Sequence, residues 1–204
     1  MVREQIFGRG IDDARLLEAF LWAPRHLFVD EALSGRAYSG MSLPIGCGQT
    51  LSQPYIIARM LALLDVRPGQ TVLEVGTGSG YQAAILWRLG AAVHTIERVA
   101  ALLERARDNL ARAGAGPVRL KAGDGSLGWP AEAPFSAILV SAAAPAVPKA
   151  LLAQLVPGGR MVIPIGSAVR QTLRRLRRTE GGAAVEEFDS CSFVRLIGLE
   201  GFAE

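Results

Sequence analysis

Val72-Leu73-Glu74-Val75-Gly76-Thr77-Gly78-Ser79-Gly80-Tyr81-Gln82-Ala83-Ala84 decides how this chain is read. A short apolar run ends on an acid, Glu74, and one more apolar residue. Gly76, Gly78 and Gly80 follow at alternate positions, and then the pattern turns helical through Ala83, Ala84, Ile85 and Leu86. Glycine is needed where a backbone passes sharply from strand to helix and lies close to a ligand, because no Cβ intrudes. In doubly wound sheets such a turn sits at the carboxyl ends of the strands, where ligands bind. The stretch therefore reads as a nucleotide-type binding loop.

Outward from it the chain alternates. Strands are predicted at 71–75, 92–96, 118–122, 136–141 and 160–165, and helices at 80–89, 98–113 and 147–155. Asp65 to Gly69 and Pro157-Gly158-Gly159 read as turns preceding strands. The strand runs lack polar alternation, which predicts a sheet buried on both faces. The expected fold is α/β, a doubly wound, mostly parallel sheet with N-terminal helices. Residues 172–179 and 184–197 flank Glu180-Gly181-Gly182 with no room for a helix, so the sheet is expected to close with an antiparallel hairpin. Arg174, Arg175, Arg177 and Arg178 lie on the first of these strands, and a charged, solvated edge strand is preferred over a polyanion contact.

The length, 204 residues with half of them apolar, suits one domain. Its expected parts are 1–65 (N-terminal helices and an active-site loop), 66–166 (ligand-binding core) and 167–204 (C-terminal hairpin). A net charge of +3 is too small to argue for nucleic acid by itself. Cys47 and Cys191 make no CxxC and no disulfide framework. The N-terminus carries charges throughout, unlike a signal peptide, and no stretch reaches the ~20 apolar residues of a membrane span. A cytoplasmic protein with no membrane partner follows as the expectation.

Before the loop, residues 11–33 read as helix interrupted at Pro24, with Asp12 and Asp13 near its start. Residues 34–54, rich in Gly and Pro, read as an ordered functional loop rather than a linker. It leads into a helix from Tyr55 to Leu64. Ser52 could cap that helix, with Pro54 in its first turn.

Three ligands compete for the glycine loop. A phosphate-gripping P-loop needs GK[ST], but Gly80 is followed by Tyr81 and Gln82. A dinucleotide loop wants GxGxxG, whereas Gly76 to Gly80 gives GxGxG. Glu74 would repel a pyrophosphate and suit a ligand bearing a sulfonium or ammonium, which points to S-adenosylmethionine. Glu97, after the next strand, can accept ribose hydroxyls and would serve either cofactor. Asp124 could reach an adenine amino group or simply form an Asp-Gly turn. His26 and His94 are far apart in sequence and read as structural. There is no metal-ligand cluster in the pattern.

At this point the chain resembles a family. The succession LPIGCGQTLSQP (43–54), VLEVGTGSGYQAA, GDG (123–125), FSAILVSAAAPAVP (135–148) and LVPGGRMVIPIG (155–166) is similar to the protein-L-isoaspartate O-methyltransferases, from about Pro24 to Leu196. Gly48 to Pro54 is the most specific part, being similar to the family's GQTISQP signature. The resemblance implies a Rossmann-like methyltransferase with S-adenosylmethionine as cofactor. It implies methyl transfer to the carboxylate of L-isoaspartyl residues in damaged peptides and proteins, a repair reaction whose ester then cyclises to a succinimide. Ser52 would be the active-site serine, with Gln49, Thr50 and Leu51 along the cofactor. Glu74, Gly76, Gly78 and Gly80 would hold the methionine end, Glu97 the ribose, and Asp124 and Gly125 the adenine, with Arg98 a further cofactor-binding residue. Pro44, Ile45, Gly46, Val147 and Pro148 would line the peptide slot. A monomer that binds no nucleic acid is expected. Cys47, Ser39-Gly40 and Arg195 depart from the family pattern, where a larger residue, an acid and a proline are usual.

Such chemistry needs no general base, because a carboxylate is already ionised at neutral pH. What it needs is alignment of oxygen and methyl carbon, at about 3–3.5 Å, with water excluded. Ser52 then orients the acceptor by one hydrogen bond and is not a nucleophile. The residues after the fourth strand, Ser141 to Pro145, offer no grip on an exocyclic amine, which disfavours a nucleic-acid base methylase.

Overall fold

The computed structural model describes residues 1–167 and 169–203. Helix α1 (Ala14–Trp22) starts where Asp13 accepts hydrogen bonds from the backbone N–H groups of Arg15 and Leu16, at 2.9 and 3.4 Å. It stops ahead of Pro24, which lacks the N–H that a continuing helix requires. The chain to residue 36 is then two 3₁₀ turns, Arg25–Phe28 and Glu31–Arg36, rather than the helix to residue 33 that periodicity predicts.

The loop of residues 34–54 contains a small antiparallel hairpin, β1 (Leu43–Gly46) with β2 (Gln49–Leu51). Its turn runs through three consecutive left-handed residues, Gly46, Cys47 and Gly48, with φ of 88°, 52° and 68°. Helix α2 (Pro54–Leu64) follows, with Pro54 in its first turn. Its N-terminal flanking residue is Gln53, and no side chain caps it. Ser52 lies one residue too early for the capping role that the sequence allowed.

The core is a seven-stranded sheet. Strands β3 (Thr71–Val75), β4 (Ala92–Glu97), β5 (Val118–Ala122), β6 (Phe135–Val140) and β7 (Leu155–Gly166) are parallel; β8 (Gln171–Thr179) and β9 (Gly182–Cys191) close it antiparallel, in the order β5-β4-β3-β6-β7-β8-β9. Helices α3 (Tyr81–Arg88), α4 (Ala100–Arg112) and α5 (Lys149–Ala153) lie between the parallel strands. Successive residues of the central strands enter different apolar clusters. Val72, Ala137 and Leu139 join one, while Leu73, Ile138 and Val140 join the other. Period-two alternation thus buries both faces, as the unbroken apolar runs require.

Three differences from the sequence reading have physical causes. Pro157-Gly158-Gly159 lies inside β7, where the register with β6 slips between Leu155 and Arg160. Strand β9 stops at Cys191, and residues 192–197 leave the sheet to run along the segment after β6. There Ala143 N–H donates to Val194 O and Leu196 N–H donates to Ala143 O, at 2.8 and 2.7 Å. Strand β8 is interior rather than an edge, and three of its arginines are engaged: Arg174 and Arg175 pair with Glu187 and Glu186 of β9 at 2.6 and 2.7 Å, and Arg178 donates to main-chain carbonyls of Ala153 and Leu155.

Candidate active site at the carboxyl end of β3

Strand β3 pairs in parallel with β4 on one side and β6 on the other, so the strand order reverses there. That reversal opens a crevice beyond the strand tips. A cavity of about 440 Å³ occupies it, within the range of small-molecule sites. Its floor is the glycine loop. Gly76, Gly78 and Gly80 all have positive φ, at 91°, 54° and 88°. A Cβ on Gly78 would stand 3.3 Å from Ile45 Cδ1, so the hairpin tip closes directly over the loop.

Below the loop, polar groups form a buried chain. Thr95 Oγ1 donates to Glu74 Oε2 at 2.6 Å and lies 2.7 Å from Thr77 Oγ1. Glu74 is fully buried, and its other oxygen has no partner. Burial pushes its carboxyl up to about 8, opposed by the Thr95 hydrogen bond and reinforced by nearby Glu97. Glu97 lies at the cavity wall, where its two oxygens accept from the N–H groups of Gly78 and Val99, at 2.9 and 3.0 Å. A carboxylate has about four acceptor positions, so two remain for ligand hydroxyls.

Of the residues singled out by sequence, Gln49, Thr50, Leu51, Ser52, Gly76, Gly78, Glu97, Arg98, Gly125 and Ile45 meet around this cavity. Glu74 sits behind it rather than in its wall. Gly80 is also set back, packed against Ala106 and Leu110 at the start of α3. Asp124 does not reach the cavity wall. Burial would raise its carboxyl, but hydrogen bonds from Ser126 and the Leu199 N–H outweigh that and hold it below the usual range. Its oxygens are 2.8 Å from Ser126 N and 2.8 Å from Leu199 N. Asp124 therefore starts a 3₁₀ turn, as the turn reading had it, and fastens the C-terminal segment.

A second cavity, of about 710 Å³, adjoins the first. Thr50, Ser52, Ser141, Phe193 and Val194 belong to the walls of both. Pro44, Gly46, Val147 and Pro148, expected at a peptide slot, line neither. Exposed Pro44 and Gly46 face outward on the hairpin because alternate strand residues take opposite faces. The second cavity is instead walled by Arg9, Tyr55, Ile56 and Asp189 to Ser192. These residues come from three distant parts of the chain and carry no shared sequence signal. His26 and His94 line neither cavity, and bond to Tyr38 and Glu132. Among the described residues no group of His, Cys, Asp or Glu could hold a metal ion, and no helix is long and apolar enough to cross a membrane.

This geometry agrees with comparisons with known proteins. The family model described as protein-L-isoaspartate(D-aspartate) O-methyltransferase matches residues 1–201. The chain belongs to that family. It is 55% identical to a protein-L-isoaspartate O-methyltransferase of Trichlorobacter lovleyi, over 99% of this chain and 94% of that protein. A second, from Geotalea uraniireducens, is 53% identical over the whole chain and 94% of its own length. Among solved structures, a protein-L-isoaspartate O-methyltransferase matches at 27% identity with a TM-score of 0.89, covering 98% of this chain and 67% of the other. A Plasmodium falciparum protein described as a putative member, solved with S-adenosyl-L-homocysteine, matches at 25% and 0.84, covering 96% of each. The α/β fold, the enzyme class and the methyl donor expected from the sequence are those of this family.

Proposed function

We propose that this chain repairs proteins by methylating the carboxylate of L-isoaspartyl residues, with Ser52 at the meeting point of donor and acceptor. The observation that carries this reading is the shared wall. One cavity is floored by the glycine loop and flanked by Glu97; the other is walled by Arg9, Tyr55 and Asp189 to Ser192; Ser52 belongs to both.

The residues present fit S-adenosylmethionine. Glu97 has acceptor positions to spare for ribose hydroxyls, and Gln49, Thr50 and Leu51 form the wall opposite the glycine loop. Arg98 and Gly125 stand at the adenine end, with Leu196 and Ile197 in place of Asp124. Glu74, with one oxygen lacking a hydrogen-bond partner beneath the loop, holds its proton in the ligand-free chain, and a ligand that brings positive charge would favour its ionised form. When bound, the donor supplies an electrophilic methyl carbon on sulfur. Ser52 donates a hydrogen bond to the acceptor carboxylate and turns one oxygen toward that carbon. Phe193 lines both cavities and Ile45 the first, and these apolar side chains would limit water beside the reacting groups, which strengthens attraction between opposite charges. No proton has to be removed.

The peptide lies in the second cavity, along Tyr55, Ile56 and Ser190 to Ser192, rather than along Pro44, Gly46, Val147 and Pro148. The chain acts in the cytoplasm as one monomeric domain. The test is methyl transfer from labelled donor to an isoaspartyl peptide, with the normal aspartyl peptide and tRNA as controls. Label in the first alone is expected; label in tRNA alone would refute the reading.

A further inference from the structure

Among the described residues Arg25 is a buried cation with no carboxylate paired to it, directly behind Ser52. It sits in the 3₁₀ turn after Pro24 and is fully buried. Its Nε donates to Ala37 O and its Nη2 to Ser52 O, both at 2.7 Å. Its Nη1 meets no acceptor. The guanidinium carbon lies 5.0 Å from the centre of the Tyr81 ring, and the buried Tyr81 hydroxyl faces it closely enough to support its charge. Burial lowers the Arg25 pKa, partly offset by Tyr81 and Tyr38; no carboxylate acts on it. An arginine stays charged in a protein under these conditions. Buried charges are ordinarily paired, since an isolated one is costly. Two carbonyl dipoles and an aromatic face offset part of that cost and leave a net positive charge. Tyr81 and Ser52 separate that charge from the first cavity, and both line it.

We propose that Arg25 is a positioning residue for the acceptor, holding Ser52 by its main-chain carbonyl and supplying a fixed positive charge to which the incoming carboxylate of the substrate responds. The inference rests on the reading of Ser52 as the acceptor-side residue. The carbonyl of Ser52 and its hydroxyl belong to one residue, so one residue and a hydrogen bond on either side of it link the guanidinium to the acceptor oxygen. In a wall that excludes water a charge at that range is weakly screened. It compensates for the missing counterion only while the acceptor is bound, so it favours an anion over a neutral isostere at this place. The donor also carries a carboxylate, and the experiment separates the two.

Arg25→Lys keeps the charge and Arg25→Gln removes it, while both lose part of the two-pronged bonding. Each full-length variant is assayed at saturating donor with an isoaspartyl peptide. The matching isoasparaginyl peptide serves as a neutral competitive probe, and S-adenosylhomocysteine affinity is read by calorimetry. Arg25→Gln is expected to raise the peptide KM about tenfold and to abolish preference for the anionic over the neutral peptide. Arg25→Lys is expected to hold KM within about threefold and keep that preference, and both should bind S-adenosylhomocysteine like the parent. Should Arg25→Gln not fold, the preference measured in Arg25→Lys alone decides, and its loss overturns the proposal. Equal impairment of the two variants would make Arg25 merely structural. A fall in S-adenosylhomocysteine affinity with the peptide KM unchanged would assign the charge to the donor. A parent chain inactive on isoaspartyl peptide would refute the function, a result separate from any of these.

Discussion

Ser52 carries a role that its surroundings define by exclusion. Its main-chain carbonyl is taken by Arg25, and it does not cap α2, so its hydroxyl remains for the place where the two cavities join. Replacing it by alanine is expected to cut kcat about 10- to 100-fold, the value of one well-placed hydrogen bond, with S-adenosylhomocysteine affinity unchanged by calorimetry. Glu74 makes a different kind of prediction. Burial pushes its carboxyl up to about 8 in the folded chain, against the ordinary glutamate value of 4.5 in the unfolded one. Between those values the folded protein binds a proton that the unfolded chain has lost, so stability falls as pH rises from about 4.5 to 8. Glu74→Gln should flatten that fall in urea titrations of the ligand-free protein, stabilising it at pH 8 relative to the parent by on the order of 4 kcal/mol. The same variant should weaken donor binding most above pH 8, where the parent's carboxyl is ionised and faces the cation, as calorimetry across pH would read.

Among the elements, the strand-loop-helix unit at β3 and α3 was legible because each of its demands has a residue signature. A positive φ asks for glycine, and a buried central strand asks for an unbroken apolar run. Gly80, with φ of 88°, also has Ala106 O only 3.3 Å from where a Cβ would stand. Gly80→Ala is therefore expected to cost about 2 kcal/mol or more by urea unfolding, compared with the small effect of the same change on an exposed loop. The β1–β2 hairpin was hidden for an equally physical reason. Its strands are four and three residues long, too short for alternation to register, and one of its left-handed positions is filled by Cys47. Cys47→Gly should relieve about 1 kcal/mol of backbone cost with activity unaltered, measured as a rise in the urea midpoint. The arginine-rich β8 misled as an edge strand because charge on a strand looks the same whether water or a glutamate faces it. Only the pairing of Arg174 and Arg175 with β9 settles which.

At the scale of the whole molecule, fold and donor loop were written locally, whereas the acceptor side was not. Arg9, Tyr55 and Asp189 approach one cavity from the start, the quarter-point and the far end of the chain. No spacing rule connects such residues, and Pro44 and Val147, which the family resemblance implied, line neither cavity. The assembled cavity predicts a global response: S-adenosylhomocysteine at 100 times its dissociation constant should add about 2.7 kcal/mol, a rise in Tm of roughly 5–10 °C by calorimetry.

The segment Phe193 to Ile197 belongs to no sheet, yet it forms one side of the donor cavity, hung on Ala143 and tied through Leu199 to Asp124. During synthesis, then, the parallel sheet can be complete while the enzyme still lacks a wall. A ribosome-bound chain halted near residue 190 would possess its glycine turn and its serine but no means of retaining the methyl donor. Competence would arrive abruptly, with the emergence of a few late residues, rather than growing as the sheet grows.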